Sequence, residues 1–584
     1  MILSETEPIV LLKKYRSLLA STAAVELVDF IISLTDSLIA ANLVSAEALS
    51  AIKLFSPFLL ISSFFSAILN SGTLLNYSLE IGRFHKKRAD EFFSQGIILT
   101  VICGILMTAA VLLITPLFLS AVSISPEIET YFTEYYTIAA FYLLLIPVSC
   151  VLNNIVVADG GEKFATFANI FCIIGNIVLS LILARSFGVV GIAFASLAGK
   201  ASFVLFICLW FFNRNNHVRF VFHFAWTDFL SMAGCGIVRA SKYAATSLML
   251  GIINLFILQN YDIETFEAWA VAQNLIYLST FFFGISMILQ PLIGILRGEN
   301  NTKAIRILVW HLSRDLALIS AVCAMLLLVF APQIFHAFGI RDGAAFLEGV
   351  TALRITGWTI MLSAQMELFF VYYFLINKKL LAVDFAMRKE LICPVGLVLL
   401  LGLFHVSSTN ILWSCLAASV VLAAVLSIII VSVRYPRSVF PLLLPHEQDD
   451  RIHIYGFGIT PGNAAAISET ARNLLQKEGF SERLQTLVGV CLEDMINLIM
   501  EHNPGSAKDL SAECTVITED DGVQVILRDD GKIFDITEES AKDYSFLRYT
   551  VERMITVTDH NAYITTTGYN RNELFFGEKR MASE

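Results

Sequence analysis

Charge is scarce in this sequence: only 15% of its 584 residues are Asp, Glu, Lys or Arg, while 56% are hydrophobic and the mean hydropathy is +0.71. That composition excludes both an ordinary soluble globule and a disordered chain. Cysteine pairs at CxxC spacing are lacking. The 10 cysteines lie scattered, mostly inside apolar runs such as those around Cys103, Cys172 and Cys323, so neither a disulfide framework nor a zinc site is indicated. A phosphate-binding GxxxxGK[ST] loop is also lacking. The opening MILSETEPIVLLKKYR places acids before bases and has no small-residue cleavage site after a short apolar core, so a cleaved signal peptide is not expected.

What is present divides into two materials. Residues 1–440 carry 27 Lys and Arg against 25 Asp and Glu, whereas residues 441–584 carry 13 against 25. The first part is an oily body and the second an acidic, water-compatible tail, for which no nucleic-acid partner is expected. Crossing a bilayer takes about 20 mainly apolar residues. Twelve such stretches centre near residues 29, 64, 106, 144, 176, 201, 244, 280, 318, 362, 396 and 422.

Lys and Arg gather in loops on the cytoplasmic side. With Lys13, Lys14 and Arg16 inside, the loops after even-numbered spans carry Arg83, Lys86, Lys87 and Arg88, then Arg214 and Arg219, then Arg297, Lys303 and Arg306, then Lys378 and Lys379. The opposite loops carry Glu127, Glu129 and Glu134, and later Asp262, Glu264 and Glu267. The reading is a multi-pass cell-membrane protein with both termini cytoplasmic. Gly82-Arg83-Phe84 after the second span has a counterpart in Gly298-Glu299-Asn300 after the eighth, about 215 residues on, and Asp159-Gly160-Gly161 after the fourth has one in Asn377-Lys378-Lys379 after the tenth. Two six-span halves in the same orientation follow, the parallel duplication that places a carrier's substrate between the halves.

At these residues the chain resembles the multidrug and toxic compound extrusion (MATE) carriers. The likeness covers roughly residues 14–435 and rests on Asp36 followed by Ala48-Leu49-Ser50-Ala51-Ile52 and Pro57, on Gly82 with its basic loop, on Asp159-Gly160-Gly161-Glu162-Lys163, on Asn176 leading to Gly188-Val189-Val190-Gly191, and on Gln290-Pro291 with Gly298-Glu299-Asn300-Asn301.

Polar residues inside a membrane are costly and mark pathways or packing contacts. Glu26, Asp29, Ser33 and Asp36 recur at helical spacing on one stripe of the first span, which is expected to face a cavity whose carboxyls load and release a cation. The resemblance implies that Asp36 and a fifth-span Asn-x-x-x-Asp couple transport to H+ or Na+. The chain supplies Asn176 but Ser180 in place of the second acid, with Ser196 matching a small hydroxyl of the sixth span. In the second half Arg239, Lys242, Gln365 and Glu367 lie in or near spans, and an Arg–Glu pair between the seventh and tenth helices is expected.

Past Pro441 and Pro445 a linker over 441–450 leads into the tail. Residues 451–455 alternate as a strand, 463–477 and 482–502 have helical period, 515–518 and 523–527 read as strands across an acidic turn, a helix is expected near 541–555, and strands near 561–567 and 572–577 close an α/β sandwich. Glu493 and Asn497 share a helix face, and Asp529-Asp530-Gly531 follows a strand. Together they resemble the Bergerat-type ATP-binding domain of histidine kinases and anti-sigma serine kinases. By that likeness Asn497 holds Mg2+ between ATP phosphates, Glu493 positions or deprotonates the attacking hydroxyl, Asp529 accepts from the adenine amino group and Gly531 admits the base. The glycine-rich second box that should cradle phosphates is replaced by Lys542-Asp543-Tyr544-Ser545-Phe546.

The expected architecture is an all-α bundle of twelve membrane helices in two six-helix halves, residues 1–220 and 221–440, with a cytoplasmic α/β sandwich over 451–584. The expected activity is export of an organic, cationic compound in exchange for H+ or Na+, with the bilayer, a small organic substrate and a protein that contacts the tail as partners. A flippase for lipid-linked sugars and a membrane-anchored serine kinase or sensor are the alternatives; the first needs a cavity dominated by Arg and Lys, the second phosphoryl transfer without flux.

Overall fold

The structure, a computed structural model, describes residues 3–45, 48, 51–52, 55–121, 126–214, 216–272, 274–337, 342–406, 408–435, 441–444, 449–504, 510–532, 560–566 and 569–577. Its body is helical: α1 (Ile9–Ile39), α2 (Ser56–Gly82), α3 (Lys86–Ala121), α4 (Pro126–Ala158), α5 (Glu162–Cys208), α6 (Trp226–Asn260), α7 (Ile263–Ala272), α8 (Asn274–Ser286), α9 (Leu289–Gly298), α10 (Thr302–Val329), α11 (Ala331–Ala337), α12 (Ala344–Thr356), α13 (Ile360–Leu375), α14 (Lys379–Met387), α15 (Cys393–Leu403) and α16 (Thr409–Arg434). Among the described residues eight helical stretches are long and apolar enough to cross a membrane, and one of them, from Glu162 to Phe212, turns at Gly188. Gly188 takes φ 58° and ψ −133°, a conformation open to glycine and strained for other residues, so α5 is two arms rather than one rod. All twelve centres read from the sequence fall in helix.

The duplication extends to individual backbone hydrogen bonds. At the end of α2, Phe84 has φ 60°, with its N–H donating to Ile81 O and the His85 N–H to Glu80 O; at the end of α9, Asn300 has φ 58°, with its N–H donating to Arg297 O and the Asn301 N–H to Leu296 O. The same left-handed cap recurs at Gly160 and Asn377. These caps satisfy the last carbonyls of each helix, which explains why a glycine, an asparagine or a strained aromatic stands there. The two halves meet where Gly82 and Gly298 lie backbone to backbone; a Cβ on either would overlap the other.

The tail follows a turn at residues 441–444. A five-stranded antiparallel sheet runs β1-β2-β3-β5-β4, with β1 (Ile452–Gly458), β2 (Ser511–Thr518), β3 (Gly522–Asp529), β4 (His560–Thr566) and β5 (Tyr569–Gly577). One face is covered by α17 (Pro461–Lys477) and α18 (Glu482–His502), capped at Thr460 and Ser481, whose hydroxyls accept from the Asn463 and Leu484 N–H groups. Tyr455, Phe457, Ala512, Cys514, Val525, Leu527 and Leu574 fill that core. The strands and helices expected up to residue 532 are present, as are the closing pair; the helix expected near 541–555 lies outside the described residues, together with Lys542–Phe546.

The opposite sheet face is not open to water. Ile452, Ile454, Ile517 and Ile526 belong to the same buried cluster as Leu11, Leu292 and Leu442 of the helical body. Residues 3–8 run along β1, with the Thr6 N–H donating to Ile454 O at 3.0 Å and the Gly456 N–H to Thr6 Oγ1 at 2.6 Å, so the sheet's free edge is covered. The sheet is thus a middle layer, buried on both faces, and not one side of an independent sandwich.

Candidate functional site

Three polar centres stand out. The first lies between the halves. α1 and the first arm of α5 run side by side in the same direction, from Lys14, whose Nζ lies 2.5 Å from Glu162 Oε2, to Ile39 packed on Ala184. Interpolating at the rise of a helix sets the backbone of Asp36 roughly level with Ser180. The side chains of Asp29, Ser33 and Asp36 lie outside the described residues. Ser180 is buried and its Oγ donates to Asn176 Oδ1 at 3.1 Å, while Ser196 is half-buried on the other arm. Glu26 lines a cavity of about 130 Å3 bounded by both halves, with Asn153, Asn154, Asn169, Arg239 and Gln290. Its carboxyl packs on Gly284 of α8, where a side chain would collide with it. A run of amides, Asn169 to Asn153 at 2.9 Å, Asn153 to Asn154 at 3.2 Å and Asn154 to Asn70 at 3.0 Å, forms one wall. Sequence reasoning passed over these asparagines; amides within apolar runs were the available signal.

The second centre is in the second half, and here the expected Arg–Glu pair is corrected. Lys242, not Arg239, meets Glu367, with Nζ 2.6 Å from Oε2. Arg239 reaches across to Ser71 Oγ at 3.1 Å and lies over the Phe283 ring. Lys389 also pairs with Glu367 and sits 2.8 Å from Glu390 Oε1, so two ammonium groups and two carboxylates balance in a buried cluster. Gln365 stands apart, accepting from Ser313 Oγ at 2.8 Å. Lys389 and Glu390 belong to a π-turn, Arg388–Ile392, that inserts between α14 and α15. A π-turn widens the helix by one residue and re-aims its side chains, which periodicity does not reveal.

The third centre is on the helix-covered face of the sheet. Asp529 ends β3 opposite Asn570 of β5. Its Oδ1 accepts from Asn570 Nδ2 and from the Gly531 N–H, both at 2.9 Å, while its buried Oδ2 has no hydrogen-bond partner among the described residues. Burial pushes the carboxyl up to about 6 against the hydrogen bonds that favour the charged form. A Cβ on Gly531 would sit 2.9 Å from Asn503 Nδ2 and Asp529 Oδ1, so a side chain here would displace the groups that shape this turn. Glu493 and Asn497 are half-buried one turn apart on α18. An orphaned acceptor beside a glycine fits a ligand that brings an N–H donor, such as the adenine amino group. Because the folded-state value is raised, the neutral carboxyl is favoured at low pH and that stability is lost as pH rises from about 4 through about 6, about 3 kcal/mol in all. The tail's melting temperature is therefore expected to fall between pH 4 and 7, and Asp529→Asn to flatten this dependence. Identical pH profiles for the two proteins in a thermal melt would remove the buried-carboxylate argument.

A family profile described as MatE matches residues 22–182. Solved structures match over a longer stretch. A MOP-superfamily transporter from Pyrococcus furiosus, reported with reverse polarity of its binding pocket, superposes with a TM-score of 0.68 at 20% identity, covering 74% of this chain and 98% of its own. An outward-facing multidrug resistance MATE family transporter gives 0.67 at 21% over the same shares, and a MATE transporter in the bent conformation gives 0.65 at 21%. The helical body has the MATE transporter fold. No curated protein matches the chain in sequence. The MATE fold explains why the cavity lined by Glu26 and Arg239 is bounded by both halves: in two repeated bundles facing each other, the seam is the place where polar side chains escape lipid.

Proposed function

We propose that the chain is a MATE-type secondary carrier of twelve membrane passages in two halves, residues 1–220 and 221–440, that exports organic cations in exchange for H+ or Na+. The observation that carries this reading is the polar cavity bounded by both halves, with Glu26 on one side and Arg239 and Gln290 on the other. Asp36 of α1, with Glu26, Asp29, Asn176, Ser180 and Ser196, forms the cation pathway. The basic loops put residues 3–8 and the tail in the cytoplasm of the cell membrane. In the tail, residues 451–584 bind ATP with Mg2+: Asp529 and Gly531 take the adenine, Asn497 holds the metal and Glu493 orients the phosphate end.

Asp36→Asn is expected to abolish ion-driven uptake of a fluorescent organic cation into proteoliposomes while leaving the elution profile of the purified protein unchanged. Unaltered uptake with unaltered pH dependence would exclude Asp36 as the coupling acid.

A further inference from the structure

Where the sheet meets the helical body, three charged groups of the sheet and one of the body form a cluster that the transport reading does not use. Arg528, Arg571, Glu513 and Glu299 are all essentially solvent-free. Arg528 lies 2.6 Å from Glu513 Oε1 and is ion-paired with Glu299, and Arg571 Nε is 3.3 Å from Glu299 Oε1. Arg571 also donates to Ile81 O at 2.9 Å and Gly82 O at 3.0 Å, with its guanidinium 3.7 Å over the Phe84 ring. Ile81, Gly82 and Phe84 close the second helix of the first half; Glu299 closes α9 of the second, at the repeat-equivalent place. Two neighbouring strand residues therefore hold both halves at once, at the point where Gly82 touches Gly298.

We infer that the docked tail sheet is a latch that fastens the two halves together at their tail-bearing end, and that this end opens only when Arg528 and Arg571 leave Glu299 and the Ile81–Gly82 carbonyls. The cluster is balanced, two cations against two anions. Withdrawing one arginine alone strands a buried charge, whereas withdrawing the whole face admits water to every member. The device is two-state for that reason, docked or released. Asp529 and Asn570, one residue along each strand and on the other face, place the nucleotide centre directly behind the latch.

The relevance to transport rests on the carrier reading, so the test reads distances and not flux. In full-length protein with its ten cysteines replaced and held in lipid nanodiscs, spin labels at Lys87 and Arg314 report the separation of the halves, and labels at Lys87 and Glu482 report docking of the tail. The unmodified latch should give one narrow distribution for each pair. Glu299→Arg, which puts a third cation into the cluster, should broaden the docking pair and add a longer population to the half-to-half pair. Should that variant fail to fold, Arg571→Gln, which cuts the link to Ile81 and Gly82 and leaves Arg528 with Glu513 and Glu299, should shift both pairs the same way by a smaller fraction. A released tail with an unchanged half-to-half distance overturns the latch, and so does a tail that stays docked with Glu299 reversed. Either result leaves the carrier reading untouched, since that stands or falls on uptake.

Discussion

Asp529→Ala should weaken binding of a fluorescent ATP analogue about a hundredfold, the loss of one charge-assisted hydrogen bond at a buried acceptor. The geometry makes the effect specific to one base. Asp529 Oδ2 has no donor among the described residues, and the exocyclic amino group of adenine would supply one, while guanine presents a carbonyl oxygen at that position; ATP should compete for the site and GTP should not. Lys477→Gln, exposed at the end of α17 and outside the proposed nucleotide site, should keep its affinity and serves as the folded control. Equal affinity of the Ala variant and the parent, read by titration in detergent, would end the assignment of an adenine site to this turn.

Glu367→Ala should be the most damaging single change in the helical body. It strands the buried ammonium group of Lys242 and leaves Lys389 with one carboxylate, Glu390, at 2.8 Å. Unpairing a buried ion costs about 3–5 kcal/mol, a large fraction of the about 5–15 kcal/mol by which an ordinary chain is stable. The double variant Lys242→Met with Glu367→Gln leaves the Lys389–Glu390 pair balanced and should recover most of the loss. The check is the midpoint of thermal unfolding followed by size exclusion. A Glu367→Ala protein that melts like the parent would show that the cluster does not hold α6, α13 and the π-turn together.

These two sites differ in how far the sequence announced them. The tail turn was legible because its signal is local: an alternating strand ending in Asp529, a glycine two residues on, and Glu493 and Asn497 four apart on one helix. The ion cluster was only half legible. Lys242 and Glu367 lie 125 positions apart, and the arginine three residues earlier was an equally good partner on paper. Lys389 and Glu390 enter the cluster through the π-turn over 388–392, which leaves no trace in a 3.6-residue period. The sheet's docked face had a trace that was read as core alone: Ile452, Ile454, Ile517 and Ile526 make the strands apolar on both faces, which a sheet with one wet face does not need.

By itself the sequence determined the helical body, its doubling at about 215 residues and the order of strands and helices in the tail up to residue 532. Each of these follows from short-range rules: hydrophobic length, left-handed caps at Gly160, Asn300 and Asn377, and alternation along strands. Only the tertiary structure decided that Glu299 answers Arg528 and Arg571 across more than 200 residues, that residues 3–8 cover β1, and that the sheet seals one end of the seam between the halves. Such pairings are chosen by burial. A charge withdrawn from water must find its opposite wherever the fold brings one, and sequence distance has no part in that choice.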